Sequence, residues 1–288
     1  VRFDSSDDDR SNVDDRRGTG LIGGGMKLGL GGTLVVLALS FFFKTNLFSL
    51  LGGGGQADTS SQTAAPAQNP ETTQRGEAEA GLEKVAVRSF NDAQHFWNKD
   101  LASARTPYHD ARLVLFWDRT RSGCGDAGAE MGPFYCPADE RVYIDLGFYR
   151  ELAQKFGAPG DFAQAYVIAH EVGHHLQKIL GISGKVSALQ GQDPGSRNAL
   201  SVKLELQADC FAGVWGKAAA ARQLLDPGDL EAGLRAAASV GDDRLQKMAG
   251  RRVSPETFTH GSAQQRSTWF RRGFDGGTVA SCDTFAGD

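Results

Sequence analysis

The sequence predicts an α+β domain, mostly helical with a small early β-sheet, preceded by one transmembrane helix and a disordered tether. Three features point there. Apolar residues recur at helical spacing through most of the second half. Two short apolar runs, 112–117 and 141–146, read as strands. A long uninterrupted apolar run near the start stands between polar, low-complexity segments. Over 288 residues the formal net charge is −4, which gives no reason to expect nucleic-acid binding.

Residues 1–27 are polar and charged, with Asp7-Asp8-Asp9, Asp14-Asp15-Arg16-Arg17 and Gly23-Gly24-Gly25, the composition of a disordered arm. Residues 28–51 read as a retained transmembrane anchor. The run is apolar from Leu28 to Phe43, Lys44 can snorkel to the interface, and apolar residues resume to Leu51. No Ala-x-Ala site follows directly, which argues against a cleaved signal peptide. Arg10, Arg16, Arg17 and Lys27 precede the span, and after it only Lys44 is basic before Arg75. The positive-inside bias then predicts a single-pass protein of the bacterial cell membrane, with a cytoplasmic N-terminus and an extracytoplasmic domain. Residues 52–81, rich in Gly, Ser, Thr, Gln and Ala, read as a flexible linker.

The folded domain is expected over 82–288. Leu82, Val85, Ala86, Phe90, Ala93, Trp97 and Leu101 recur at helical spacing, and Pro107 ends that element. The strands at 112–117 and 141–146 flank a loop rich in Gly, Pro and Cys. A short helix is expected over 148–156 and a longer one over 161–180. Asp161 with Gln164 reads as the N-cap of the longer helix and Gly181 as its C-cap. Residues 182–197 read as a polar loop, and 198–224 as a second long helix. Asp229 caps another helix, and a last one begins after Ser262 and ends at Gly273.

The helix over 161–180 carries His170-Glu171-Val172-Gly173-His174. Four residues apart on a helix, His170 and His174 stand about 6 Å apart along the axis on one face, so both imidazoles can reach one ion. Glu171 can contact a water on the open side of that ion. This is the arrangement of a zinc peptidase, with two ligands and a glutamate general base. On average residue usage, about one chain in a hundred of this length carries the pattern by chance, and its position in mid-helix with both ends marked lowers that figure.

A catalytic zinc needs a third protein ligand. Glu205 and Asp209 are again four apart, within the apolar stretch Leu204-Glu205-Leu206-Gln207-Ala208-Asp209-Cys210-Phe211. Carboxylates on a packed helix face are costly unless paired. Glu205 is therefore assigned as third ligand and Asp209 as the acceptor that fixes a ligand imidazole. His175 points about 100° away from His174 on a helix and is not assigned to the site. His95 and His109 have no supporting pattern. Cys124 and Cys136 bracket the Gly/Pro-rich loop; of the three possible connectivities, Cys124–Cys136 with Cys210–Cys282 is expected, in an oxidising compartment.

His170-Glu171-x-x-His174 followed by Glu205-x-x-Ala208-Asp209 resembles the gluzincin group of zinc metallopeptidases. The wording of Asn12 to Gly18, Gly132 to Pro137, Val142 to Leu146, His170 to Gln177 and Glu205 to Trp215 is similar to one bacterial family, the membrane-anchored neutral zinc metallopeptidases. The resemblance implies a zincin-like domain, one Zn2+ per chain and a peptide or protein substrate. It also implies that His260, in Thr259-His260-Gly261-Ser262, hydrogen-bonds the tetrahedral oxyanion, and Arg266 beyond it can pair with an acidic neighbour.

The expected activity is peptide-bond hydrolysis with Glu171 as general base. The strand at 142–146 is a candidate edge along which an extended substrate could add. A rival reading from another class is a membrane-tethered scaffold or binding module with a structural zinc. Glu171 separates the two, because a structural site needs no base and closes its fourth position with protein.

Overall fold

Strands β2 (Arg112–Phe116) and β6 (Arg141–Asp145) lie side by side and parallel, Leu113 opposite Val142 and Leu115 opposite Ile144. Both strands are buried over most of their length, which parallel pairing requires. Their side chains alternate between two faces. Leu113, Leu115, Val142 and Ile144 enter the main core, while Val114, Phe116 and Tyr143 join Cys136 in a small cluster on the other side. Strand β1 (Val13–Asp15) pairs parallel with β2, and β5 (Phe134–Cys136) pairs antiparallel with β6, giving the order β1-β2-β6-β5. Strands β3 (Arg119–Ser122) and β4 (Gly125–Gly128) form a separate hairpin, tied to β5 by the Cys124–Cys136 disulfide. This computed structural model describes residues 1–17, 70–128 and 131–286.

Two expectations change with this sheet. The arm expected to be disordered over 1–27 is built into the fold through residue 17: β1 is a strand, and Asp7 is buried. Its charges misled because they meet partners on the domain, Arg88 for Asp8 and Glu83 for Arg10 and Arg17. The strand at 142–146 is not an edge, since β6 has neighbours on both sides; the edge beside it is β5.

Helix α1 (Pro70–Asp100) begins earlier than residue 82, so the end of the linker expected over 52–81 is helical. The rest of that linker and the anchor expected over 28–51 lie outside the described residues. Among the described residues no helix is long and apolar enough to cross a membrane. Helices α2 (Gly147–Gln154) and α3 (Asp161–Ile179) follow as expected. The N-cap of α3 is Gly160 rather than Asp161, with no side-chain cap, while Gly181 takes the left-handed conformation expected of it. Residues 182–197 are not a loop: α4 (Ile182–Gln192) is helical, with only Val186 buried, so its weak apolar stripe hid it. Then come α5 (Arg197–Ala221), α6 (Asp229–Ser239), an unforeseen short α7 (Asp242–Met248) and α8 (Ala263–Gly276). Ser262 and Gln265 close a reciprocal capping box on α8.

Helix α3 runs through the centre and is buried along nearly its whole length. Phe162 stacks on Trp215 of α5 at 5.8 Å between ring centroids. Trp97 of α1 meets Phe211 of α5 edge-on at 5.8 Å. Gly273 does not end α8, which continues to Gly276; it lies instead where α8 crosses α5. A Cβ on Gly273 would lie 1.9 Å from the Cys210 carbonyl oxygen, and one on Gly213 would lie 2.1 Å from that of Phe270. Only glycine permits backbones this close. The Cys210–Cys282 disulfide fastens the same helix to the C-terminal segment.

Candidate metal centre

The two acidic and histidine motifs meet because α3 and α5 touch through small residues. A Cβ on Gly173, between the two motif histidines, would lie 3.1 Å from the Ala208 carbonyl oxygen. Ala208 itself precedes Asp209. The unassigned positions of both motifs are therefore packing positions, and they bring Glu205 and Asp209 against His170 and His174.

His170, His174 and Glu205 each offer one ligand atom, and these atoms lie within 4.8 Å of one another. Nε2 of His170 is 3.2 Å from one Glu205 oxygen and Nε2 of His174 is 3.4 Å from the other. The imidazoles are held from behind. Nδ1 of His170 donates to Asp209 Oδ1 at 2.9 Å, and Nδ1 of His174 donates to Gln177 Oε1 at 2.9 Å. A carboxylate only accepts, and Gln177 is oriented by its own amide, which donates to the Leu204 carbonyl at 2.7 Å and to Gln207 at 3.1 Å. Both rings thus carry their shared proton on Nδ1 and turn Nε2 toward Glu205. This is the tautomer and aim that a metal ligand needs.

Asp209 is fully buried and heavily satisfied. Beyond His170 it accepts from the Tyr166 hydroxyl at 2.5 Å and from Arg266 Nε at 2.8 Å and Nη2 at 3.0 Å. Burial resists its ionisation, but Arg266 and His170 hold its carboxyl below the ordinary range. Burial disfavours the charged form of His170, yet Asp209 and Glu205 outweigh it and lift the metal-free imidazole to about 10. His174 is raised in the same way, burial opposing and Glu205 prevailing. Burial also opposes a charged Glu205, but His174 and His170 hold it well below the carboxylate range. The metal-free cluster therefore keeps protons where a divalent cation would neutralise the same charges. Two neutral-capable imidazoles and one carboxylate, with the fourth side open to a cleft, suit zinc.

Glu171 lines that cleft of about 780 Å3, together with Tyr135, Phe134, Val167, Leu204 and His260. Among the described residues nothing hydrogen-bonds its carboxylate, although only 6% of the residue is exposed. His260 has Nδ1 at 3.1 Å from Asp242 Oδ1. That contact, against the opposing effect of burial, raises the imidazole pKa. Asp242 Oδ2 also collects the backbone N–H groups of Thr259, His260 and Gly261, so the loop and the ring share one anchor.

The other histidines stand apart. His175 is fully buried, with Nδ1 at 2.9 Å from the Tyr135 hydroxyl and Nε2 donating to the His109 carbonyl at 2.7 Å. His109 meets Glu140 and His95 meets Asp7. Sequence reasoning missed Gln177, Tyr166 and Asp242; the acidic neighbour expected for Arg266 is Asp209. Gln177 was findable, three residues after His174 on the same helical face. Asp242 was not, because the link to His260 exists only after α7 folds back.

The sequence model of one family, described as "Putative neutral zinc metallopeptidase", matches residues 4–285. The chain is 45% identical to "Uncharacterized protein YpfJ" of Escherichia coli K12 over 284 residues, 95% of each chain. It is 41% identical to "Uncharacterized protein Rv2575" of Mycobacterium tuberculosis H37Rv over 211 residues, 69% of each. No solved structure matches. With a His/Glu cluster that could hold a metal ion and a family match running almost end to end, this chain belongs to the neutral zinc metallopeptidase family.

Proposed function

We propose that the protein is a zinc-dependent endopeptidase, with zinc held by His170, His174 and Glu205. The observation that carries this is the joint aim of two imidazole Nε2 atoms and one carboxylate at a point beside Glu171, open to a cleft. Zinc bound there would supply Lewis acidity, lowering the pKa of a water toward about 7 and polarising a carbonyl.

The chain's own residues do the rest. Glu171 accepts the proton of the attacking water and delivers it to the departing amine. His260, held by Asp242, donates a hydrogen bond to the oxyanion as the carbonyl becomes tetrahedral. Asp209 and Gln177 keep the two imidazoles aimed, and Arg266 keeps Asp209 ionised while buried. Among the described residues strand β5 is an edge strand of the sheet, and its Phe134 and Tyr135 line the cleft, so an extended peptide can add to it as a further strand. The disulfides suit an extracytoplasmic, oxidising compartment.

Chelation tests this against a structural zinc. Metal removal is expected to abolish cleavage of an unfolded protein and leave far-UV and near-UV circular dichroism in place, with activity returning on addition of zinc. A protein that unfolds on chelation and never cleaves would instead hold zinc as a scaffold.

A further inference from the structure

The arm and the domain complete one sheet, although the apolar stretch 28–51 lies between them in sequence. Val13 sits opposite Leu113 and Asp15 opposite Leu115. Leu113 N donates to the Asn12 carbonyl and Arg16 N to the Leu115 carbonyl, each at 2.8 Å. Side chains fasten the arm at several further points. Arg88 of α1 donates to both oxygens of Asp8 at 2.6 Å. The Asn91 carboxamide donates to the carbonyls of Asp7 at 2.8 Å and Asp9 at 2.6 Å. Glu83 pairs with Arg10 and Arg17, and Asp14 accepts from Arg141 of β6 at 2.9 Å. Phe3 and Val13 pack against the main core.

This network cannot coexist with a single membrane crossing between residues 18 and 69. One crossing would separate arm and domain by a hydrocarbon layer of about 30 Å. It also removes much of the ground for the orientation read from basic residues. Arg10, Arg16 and Arg17, counted there as a cytoplasmic flank, are engaged with Glu83, Asp14 and Asp15.

We infer that residues 1–17 and 70–286 occupy the same compartment, because the strand pairing and ion pairs that join them leave no room for a bilayer between them. The disulfides make that compartment an oxidising one.

All four cysteines are paired, so an introduced cysteine is the sole free thiol. Ser11→Cys on the arm and Lys185→Cys on α4 are both exposed positions. Each full-length variant is treated with a membrane-impermeant maleimide in spheroplasts of an expressing bacterium, then after detergent lysis. The two positions are expected to label together and before lysis, since the disulfides place both in the oxidising compartment. Labelling of one before lysis and the other only after it overturns the inference. A second readout needs no label. Glu83→Arg would repel Arg10 and Arg17, and is expected to speed tryptic cleavage within the arm of the full chain at least about tenfold. Cleavage within the arm of the wild-type chain as fast as in the denatured chain would mean that arm and domain do not meet, and would equally overturn it.

Discussion

Replacing Gly273 with alanine tests the packing that places the metal centre. The new Cβ would lie 1.9 Å from the Cys210 carbonyl oxygen, 2.8 Å from its carbon and 3.0 Å from Val214 N. Carbon and carbonyl oxygen ordinarily meet at about 3.3 Å, so α8 and α5 must part by about 1.4 Å at this point. The obstacle is backbone, and no rotamer relieves it. Overpacking of this kind costs about 1–3 kcal/mol and more where backbone must move, while alanine in place of glycine returns about 1 kcal/mol of helix propensity. Because backbone must move here, the upper end applies, and a net loss of about 2 kcal/mol is expected. For a domain of this size that lowers Tm by about 4–8 °C. Because α8 carries Arg266 and α5 carries Asp209, parting the helices should also lower zinc affinity. The assay is thermal unfolding by circular dichroism on metal-free and zinc-loaded protein, with Gly184→Ala as control. Gly184 is exposed on α4 with nothing within 4 Å of a Cβ, so alanine there should stabilise by about 0.5–1 kcal/mol. If Gly273→Ala and Gly184→Ala shifted Tm alike, the close helix crossing would be wrong.

Three further outcomes follow from the centre. Gln177→Leu removes the acceptor behind His174 and is expected to weaken zinc binding about 10–100-fold, by competition with a chromophoric chelator; unchanged affinity would remove Gln177 from that role. His260→Ala should keep zinc and lower kcat about 10²–10³-fold with little change in KM; a loss confined to KM would make His260 a substrate contact instead. Zinc uptake near pH 7.5 should expel about one to two protons, measured by calorimetry in buffers of differing ionisation enthalpy. The sign follows from the raised imidazoles. His170 titrates at about 10 in the metal-free fold against 6.5 unfolded, so its stabilising contribution is complete below pH 6.5 and is lost as pH rises toward 10. Metal-free protein should therefore lose stability over that window while zinc-loaded protein does not.

The meeting of the two motifs in one candidate metal site was legible because each repeats at helical spacing. His170 with His174, and Glu205 with Asp209, each share a face by arithmetic alone, and the apolar neighbours of each pair mark their helices as buried. The cysteine pairing was legible for a similar reason, since two of four cysteines bracket a short loop. Features that depend on contact between distant segments were not legible. The arm over residues 1–17 reads as a charged tail because its acids and arginines are satisfied by α1 and β6, about which the local sequence is silent. Helix α4 shows one buried side chain and so gave no periodic signal. Gly273 carries the same letter whether it ends a helix or admits a neighbour, and only the crossing with α5 decides. β6 reads as an edge candidate until β5, three residues long, is seen to cover it.

The central claim is that Glu171 is the base beside a zinc held by His170, His174 and Glu205. It is tested most directly by incubating purified wild type and Glu171→Gln with an unfolded protein. Products are read by mass spectrometry and zinc by elemental analysis. The account predicts one zinc per chain in both proteins, internal cleavage by wild type, and a rate lower by at least about 10² in the variant. Equal cleavage by both proteins, each carrying zinc, would contradict it.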